Sequence, residues 1–349
     1  MKRILFLLLA CLLLAGCGGG LDRDPAAQPP KTDGTTSGQP LTRSLFAMDT
    51  EMDLTVYGGG EDLLDQAEAR VGELEGLLSV TDPGSEIYAL NRDGTGTLSE
   101  APLDLLTAAL DLCRETGGAL DLSIYPVVRA WGFTTEDYRV PADGELAAVL
   151  SHVDYTQIVV NGDLVTLPDG MEIDLGSVAK GYTGDTLLQM FRESGVTSAL
   201  LNLGGNVQAL GTKPDGSPWR IAIQDPSGEG FLGVLPIADR AVITSGGYER
   251  FFEADGQVYW HIMDPATGRP AKNGLVSVTV VGEKGVPCDA LSTALFILGE
   301  AGAADYWRAH RDFDLVMVTE DSRLLLTPDL AETFQLWEGR TERVEVIAP

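Results

Sequence analysis

The sequence lacks the motifs that usually announce a nucleotide-dependent enzyme. It has no G-x-G-x-x-G after a strand, no G-x-x-x-x-G-K-[ST] loop and no G-x-S-x-G elbow, which removes the dinucleotide-fold, P-loop and α/β-hydrolase readings. It has no internal repeat of fixed period, so a solenoid or propeller is excluded as well. Positive charge is scarce: 24 Lys and Arg stand against 52 Asp and Glu, a formal net charge of −28. Such a chain is not a partner for nucleic acid. The same deficit constrains any phosphate-rich ligand, which needs a metal ion, a helix N-terminus or a well-placed lysine to overcome the protein's own field. Cysteine occurs only four times. Cys11 and Cys17 sit in the N-terminal segment, leaving Cys113 and Cys288 for the folded part. An oxidising compartment permits a disulfide between them without demanding one, and two buried thiols are expected. Beyond the N-terminus no second apolar stretch is long enough to cross a bilayer.

What is present at the start is an address. Met1-Lys2-Arg3 is positive, and Ile4 to Ala15 is an unbroken apolar run, shorter than the roughly 20 residues a spanning helix needs. A charged start, a short apolar middle and small residues after it describe a secretory signal peptide over residues 1–16. Leu14-Ala15-Gly16-Cys17 resembles the lipobox of bacterial lipoproteins, which implies a lipid on Cys17; the plain alternative is an ordinary signal peptide with a chance cysteine. Residues 17–40 are Gly, Pro, Asp, Thr, Ser and Gln with almost nothing apolar, the composition of a disordered tether. The expectation is a lipid-anchored protein on the extracytoplasmic face of the cell membrane, with one folded domain over residues 41–349.

That domain reads as α+β, largely antiparallel. Ser44 to Gly58 alternates as a strand, and Glu61 to Leu78 carries apolar residues at helical spacing. Helices follow at Leu103 to Thr116, stopped by Gly117-Gly118, and at Asp143 to Leu150. Ile158 to Val160 and Leu164 to Leu167 flank Asn161-Gly162-Asp163, a hairpin signal. Ser177 to Ser194 is helical. Strands are expected over Ala199 to Leu203 and Asn206 to Leu210, at Ile221, Val234, Val242 and Tyr259, and over Leu275 to Val281. A helix from Asp289 to about Leu298 and a hairpin about Asp321 complete the pattern.

Three segments have residues suited to chemistry. In Ile173-Asp174-Leu175-Gly176-Ser177-Val178-Ala179-Lys180-Gly181-Tyr182 a strand end with an acid leads into a helix, whose free N–H groups can meet an anion. Lys180, placed in the first turn, is unfavourable against the helix dipole unless a phosphate sits between them. Asp174 or Ser177 as a cap, with Lys180 in solvent, accounts for the same residues. In Asp289-Ala290-Leu291-Ser292-Thr293 the acid and the hydroxyl are i and i+4, on one helix face. With a carbonyl and water they suit Mg²⁺, a hard ion that takes oxygen ligands; an N-cap Asp and a packed Thr are the alternative. His261 ends a strand before the tight Asp264-Pro265-Ala266-Thr267-Gly268 turn. It is the candidate proton acceptor among three histidines, or simply a histidine bonded beside a turn.

Together these segments resemble the ApbE-type FAD:protein FMN transferases. Ile173 to Tyr182 matches that family's IDLGxxAKGY block, alongside Thr244-Ser245-Gly246-Gly247-Tyr248-Glu249, His261 to Gly268, and Asp289 to Ala294. Met48-Asp49-Thr50 with Tyr57-Gly58 is similar to its MGT…YG opening, with Asp49 where Gly is usual. Ser85 to Asn91 looks like its SExxxLN, and Gly117-Gly118-Ala119-Leu120-Asp121 with Pro126 and Trp131-Gly132-Phe133 like its GGxFD…P…WGF. The blocks occur in the right order over roughly residues 44 to 330.

The resemblance implies an ApbE-like, T-fold-related architecture that holds FAD as substrate. By carry-over, Met48, Ala119, Leu120, Asp121, Asp174 and Lys180 contact the flavin nucleotide. Asp289, Thr293 and the backbone carbonyl of Ser177 bind the metal. Ser177 stands where Ala or Gly is usual, a change a carbonyl ligand tolerates. Thr81 stands near a position that is often aromatic, which puts the stacking around FAD in question. The implied reaction moves FMN from FAD onto a Thr or Ser hydroxyl of an exported subunit of a membrane electron-transfer complex, releasing AMP. His261, or else Asp289, would take the hydroxyl proton. Hydrolysis of FAD to FMN and AMP, and a non-catalytic flavin-binding lipoprotein, are the alternatives.

Overall fold

Alternation decides which residues face which layer. In the strand Ala241–Gly246, Ala241 and Ile243 enter the core under the helices, while Val242 enters a second core on the opposite face. The same rule runs through a nine-stranded sheet in a computed structural model that describes residues 38–228 and 230–349. Its strands neighbour one another in chain order: Leu41–Ala47, Thr50–Tyr57, Ser198–Leu203, Asn206–Leu210, Ala241–Gly246, Leu275–Gly282, Asp314–Thr319, Arg323–Leu326 and Arg343–Val346. Every pairing is antiparallel except the last, which is parallel. The proposed signal peptide, Cys17 and most of the tether lie outside the described residues.

Two helices cover one face of the sheet. The first, Gly176–Glu193, is called the lysine helix here; it packs Leu187, Leu188 and Phe191 against Leu201 and Leu210. The second, Gly285–His310, is called the aspartate helix; it packs Leu291, Leu295 and Phe296 against Ile243, Val278 and Val280. A three-stranded sheet of Trp219–Gln224, Phe231–Ile237 and Gln335–Leu336 closes the other face. A helical lobe of Glu61–Leu78, Glu86–Asp93 and Glu100–Glu115 buries Leu74, Ile87, Leu105 and Leu106 against the start of the lysine helix, at Leu175 and Val178.

Several sequence expectations need correction. Ser44 to Gly58 is a hairpin rather than one strand, turning at Met48 and Asp49 with φ of 50° and 61°. Alternation continues on both sides of the turn, and no Asn-Gly marks it, so periodicity alone conceals the reversal. Ile173-Asp174 is irregular backbone, not a strand end. The lysine helix opens at Gly176, which places Lys180 beyond its first turn. The aspartate helix begins earlier than Asp289 and runs on past Leu298 through a break at Gly299, φ 75° and ψ 178°. By length and composition it could cross a membrane, against the expectation of no such second stretch, but most of that window is buried in the protein. Cys113 and Cys288 are buried free thiols.

Candidate active site

The two central helices touch where neither carries a side chain. A Cβ on Gly181 would lie 2.5 Å from the Gly285 carbonyl oxygen and 2.9 Å from the Asp289 Cβ, so this approach requires glycine. The contact brings Asp289 onto the lysine helix, where its Oδ2 accepts the Gly181 N–H at 2.8 Å. Gln208, from the sheet beneath, donates its Nε2–H to the Gly181 carbonyl at 3.0 Å. Asp185 accepts the N–H groups of Gly285 and Val286 at 2.7 and 3.0 Å, satisfying the first amides of the aspartate helix from across the interface.

This arrangement fits a hard cation. The Gly181 N–H would ordinarily close on the Ser177 carbonyl four residues earlier. Asp289 accepts the same N–H, so its carboxylate and the Ser177 carbonyl converge on one amide, and a carbonyl oxygen has a second lone pair to offer a ligand. Thr293 stands one turn further on Asp289's helix, its hydroxyl 3.2 Å from that of Ser245. Among the described residues no cluster of three or more His, Cys, Asp or Glu side chains forms. Carboxylate, hydroxyl and carbonyl are the oxygen donors that could hold Mg²⁺, an ion that keeps water and substrate oxygens in the rest of its shell. Asp289 is 5% exposed. Burial pushes its carboxyl up, and Lys180, the Gly181 N–H and Asn206 pull it back.

Lys180 is half-buried and forms no hydrogen bond or ion pair among the described residues. Its charge opposes the upward shifts of Asp174, Glu249 and Asp289 and adds to the downward shift of His261, so residues from four segments converge on one cation. His261 follows the strand Gln257–Trp260 of a two-stranded hairpin with Phe251–Ala254. Its Nδ1 lies 3.3 Å from the Arg250 carbonyl. A carbonyl only accepts, so Nδ1 carries the proton and Nε2 is the basic nitrogen. Burial, then the positive charge of Arg250, pushes the imidazole down to about 4, which keeps it neutral at physiological pH.

Sequence reasoning assigned no role to Arg250 or Glu249. Arg250 donates to the Phe133 carbonyl at 2.6 Å and offsets the burial of Asp174. Glu249 is exposed at the rim, yet loss of water around its carboxyl, opposed by Lys180 and reinforced by Asp289, pushes it up to about 7. Only their place after a Gly-Gly at a strand end hinted at either.

The other carried-over residues flank this centre. The Met48 N–H donates to Glu75 at 2.7 Å, and its sulfur lies 3.7 Å from the Thr183 hydroxyl on the lysine helix, whose proton goes to the Ala179 carbonyl at 2.8 Å. Ala119 and Leu120 are buried in the helical lobe, and their N–H groups are held by the Thr116 carbonyl and hydroxyl, each at 3.2 Å. Asp121 is engaged locally: it accepts the Ser123 N–H and Oγ–H at 2.8 and 2.6 Å and the Tyr155 N–H at 3.2 Å. Its loop reaches Asp174 through the Asp174 N–H on the Leu122 carbonyl, 2.9 Å. Asp174 itself accepts the Gly176 N–H at 2.8 Å, shaping the entry to the lysine helix. Thr81 is exposed, in a turn held by Ser79.

These residues lie inside a match to the ApbE family model over residues 48–317. A FAD:protein FMN transferase of Vibrio cholerae is 32% identical over 314 residues, covering 86% of this chain and 89% of the relative. One from Klebsiella pneumoniae is 31% identical over 292 residues, covering 81% and 90%. The crystal structure of the ApbE protein of Thermotoga maritima has the same α+β architecture, with a TM-score of 0.80 at 29% identity over 84% of this chain and 99% of that one. Since the match runs through every element that builds the site, the chain belongs to the ApbE family.

Proposed function

We propose that the protein is a FAD:protein FMN transferase, which uses Mg²⁺ to move FMN from FAD onto a Thr or Ser hydroxyl of an exported redox protein. What supports this reading is that the Asp289 carboxylate and a neutral His261 imidazole both feel the charge of Lys180, which has no hydrogen-bond or ion-pair partner among the described residues. Asp289, Thr293 and the Ser177 carbonyl would hold the metal, which when bound neutralises charge on the pyrophosphate and orients it. Lys180 adds fixed positive potential where negative charge collects in the transition state. The Asp121 and Asp174 loops and the Met48 turn line the approach for the nucleotide.

His261 Nε2 takes the proton of the acceptor hydroxyl, and its Nδ1–H on the Arg250 carbonyl holds the ring in that tautomer. The hydroxyl oxygen bonds to the FMN-side phosphorus, the pyrophosphate P–O bond breaks, and AMP leaves with the bridging oxygen. A lipid on Cys17 would keep the enzyme on the extracytoplasmic membrane surface, where membrane-bound acceptors are met at high effective concentration. Incubation with FAD, Mg²⁺ and a candidate acceptor tests the reading. The expected result is a denatured acceptor that is fluorescent and heavier by FMN. Release of free FMN at one rate with and without acceptor would make the protein a hydrolase instead.

A further inference from the structure

Three hydroxyls lie behind the cation site, and their bonding directions follow from proton counting. Ser292 is fully buried, and its Oγ–H donates to the Asp289 backbone carbonyl at 2.8 Å, an acceptor that cannot donate back. That uses the only proton Ser292 has. Ser245 lies 2.7 Å from Ser292 Oγ, so in this contact Ser245 must donate. Its own proton is then committed, and at 3.2 Å it can only accept from Thr293. Among the described residues Ser245 is the sole hydrogen-bond partner of the Thr293 hydroxyl. The chain therefore runs one way, from Thr293 through Ser245 and Ser292 to the Asp289 carbonyl.

The strand delivers Ser245 to this place by its alternation. Ser245 shares a face with Ala241 and Ile243, which pack under the aspartate helix, and it pairs with Val278 in the neighbouring strand. A hydroxyl that ligates a cation must turn its lone pairs to the metal and its proton elsewhere. We propose that Ser245 and Ser292 are positioning residues for the cation: they draw the Thr293 proton into the protein and leave its lone pairs directed outward at the metal. This rests on the metal assignment of Asp289 and Thr293 made above. The chain also ends on Asp289's own backbone carbonyl, so one helical turn fixes the carboxylate, the hydroxyl and the hydroxyl's orientation together.

Binding of Mn²⁺ to the full-length protein with FAD present, read from the electron paramagnetic resonance of free Mn²⁺, tests this without reference to turnover. Ser245→Ala and Ser292→Ala are each expected to weaken Mn²⁺ about tenfold, the usual scale for groups that orient a ligand. Ser245→Thr, which keeps the hydroxyl, is expected to restore wild-type affinity. In a Thr293→Val background, Ser245→Ala is expected to cost nothing further, because its action passes through Thr293. Ser245→Cys, similar in volume but a weak acceptor, serves in place of the alanine variant if that fails to fold. Wild-type Mn²⁺ affinity in the Ser245 and Ser292 variants, with Asp289→Asn still impaired, overturns the relay alone. An equal loss from Ser245→Ala with and without Thr293 also overturns it. Equal Mn²⁺ affinity in wild type and Asp289→Asn overturns the metal site and the relay with it.

Discussion

The two ends of the site are built on different principles. The cation end lies at the contact of two long helices, and its groups are fixed by bonds to backbone: Asp289 to the Gly181 N–H, Gln208 to the Gly181 carbonyl, Asp185 to the amides of Gly285 and Val286. The proton end is held by a two-stranded hairpin, with His261 on a single carbonyl and Glu249 exposed at the rim. Oxygen ligands must meet an ion at fixed distances, which favours rigid elements and tight packing. A group that takes a proton from another macromolecule must stay reachable. On the proposed reading, metal geometry and acceptor access fall to separate parts of one fold.

The largest expected effect lies at the cation end. Asp289→Asn should reduce FMN transfer to background, checked by acceptor fluorescence, because it removes the one carboxylate assigned to the cation. At the proton end, His261→Gln should lower the rate about 10²–10⁴-fold, the range for general bases, while leaving Mn²⁺ affinity near wild type. If metal affinity falls equally in both variants, the division into two ends is wrong. The wild-type kcat/KM profile should lose activity toward an acid limb near pH 4, where the His261 ring gains its proton, and that limb should vanish in His261→Gln.

Smaller effects sharpen the contrast. Gly181→Ala should force the helices apart and destabilise the protein by about 1–3 kcal/mol, an overpacking cost, seen as a lower melting temperature. The effect of Glu249 is smaller and depends on pH. Its carboxyl titrates at about 7 when folded against an ordinary value of 4.5, so the folded state holds the extra proton between these values and stability falls as pH rises through them. Glu249→Gln should therefore raise the melting temperature of metal-free protein at pH 8 and leave it unchanged at pH 4. The same gain at both pH values would place its effect in packing rather than charge.

Much of this was legible before any coordinates. The spacing of Asp289 and Thr293 put them on one helix face because helical periodicity is local. His261 is marked by its scarcity and its turn; the helix-dipole argument for Lys180 does not survive, because the helix opens at Gly176 and Lys180 lies past its first turn. Ser245, Asn206, Gln208 and Asp185 went unassigned because their partners lie far away in the chain: 48 residues separate Ser245 from Thr293, and 108 separate Gly181 from Asp289. The single-strand reading of Ser44 to Gly58 failed for a related reason. A turn at Met48 and Asp49 leaves the alternation intact on both sides, so only the pairing partner reveals it.

By itself, then, the sequence determined the class of fold, the helices Glu61–Leu78, Glu100–Glu115, Asp143–Leu150 and Gly176–Glu193 to within a few residues, and the residue types able to bind a cation and accept a proton. These follow from period, turn chemistry and side-chain chemistry, all of which act over a few residues. Only the tertiary structure decided which of those residues meet. It brought Asp289 onto the Gly181 N–H of another helix, committed the Ser292 proton so that Thr293 must donate inward, and set the Arg250 carbonyl on Nδ1 so that Nε2 is left as the base. Each outcome depends on a hydrogen-bonding capacity that one partner exhausts, and chain folding chooses that partner.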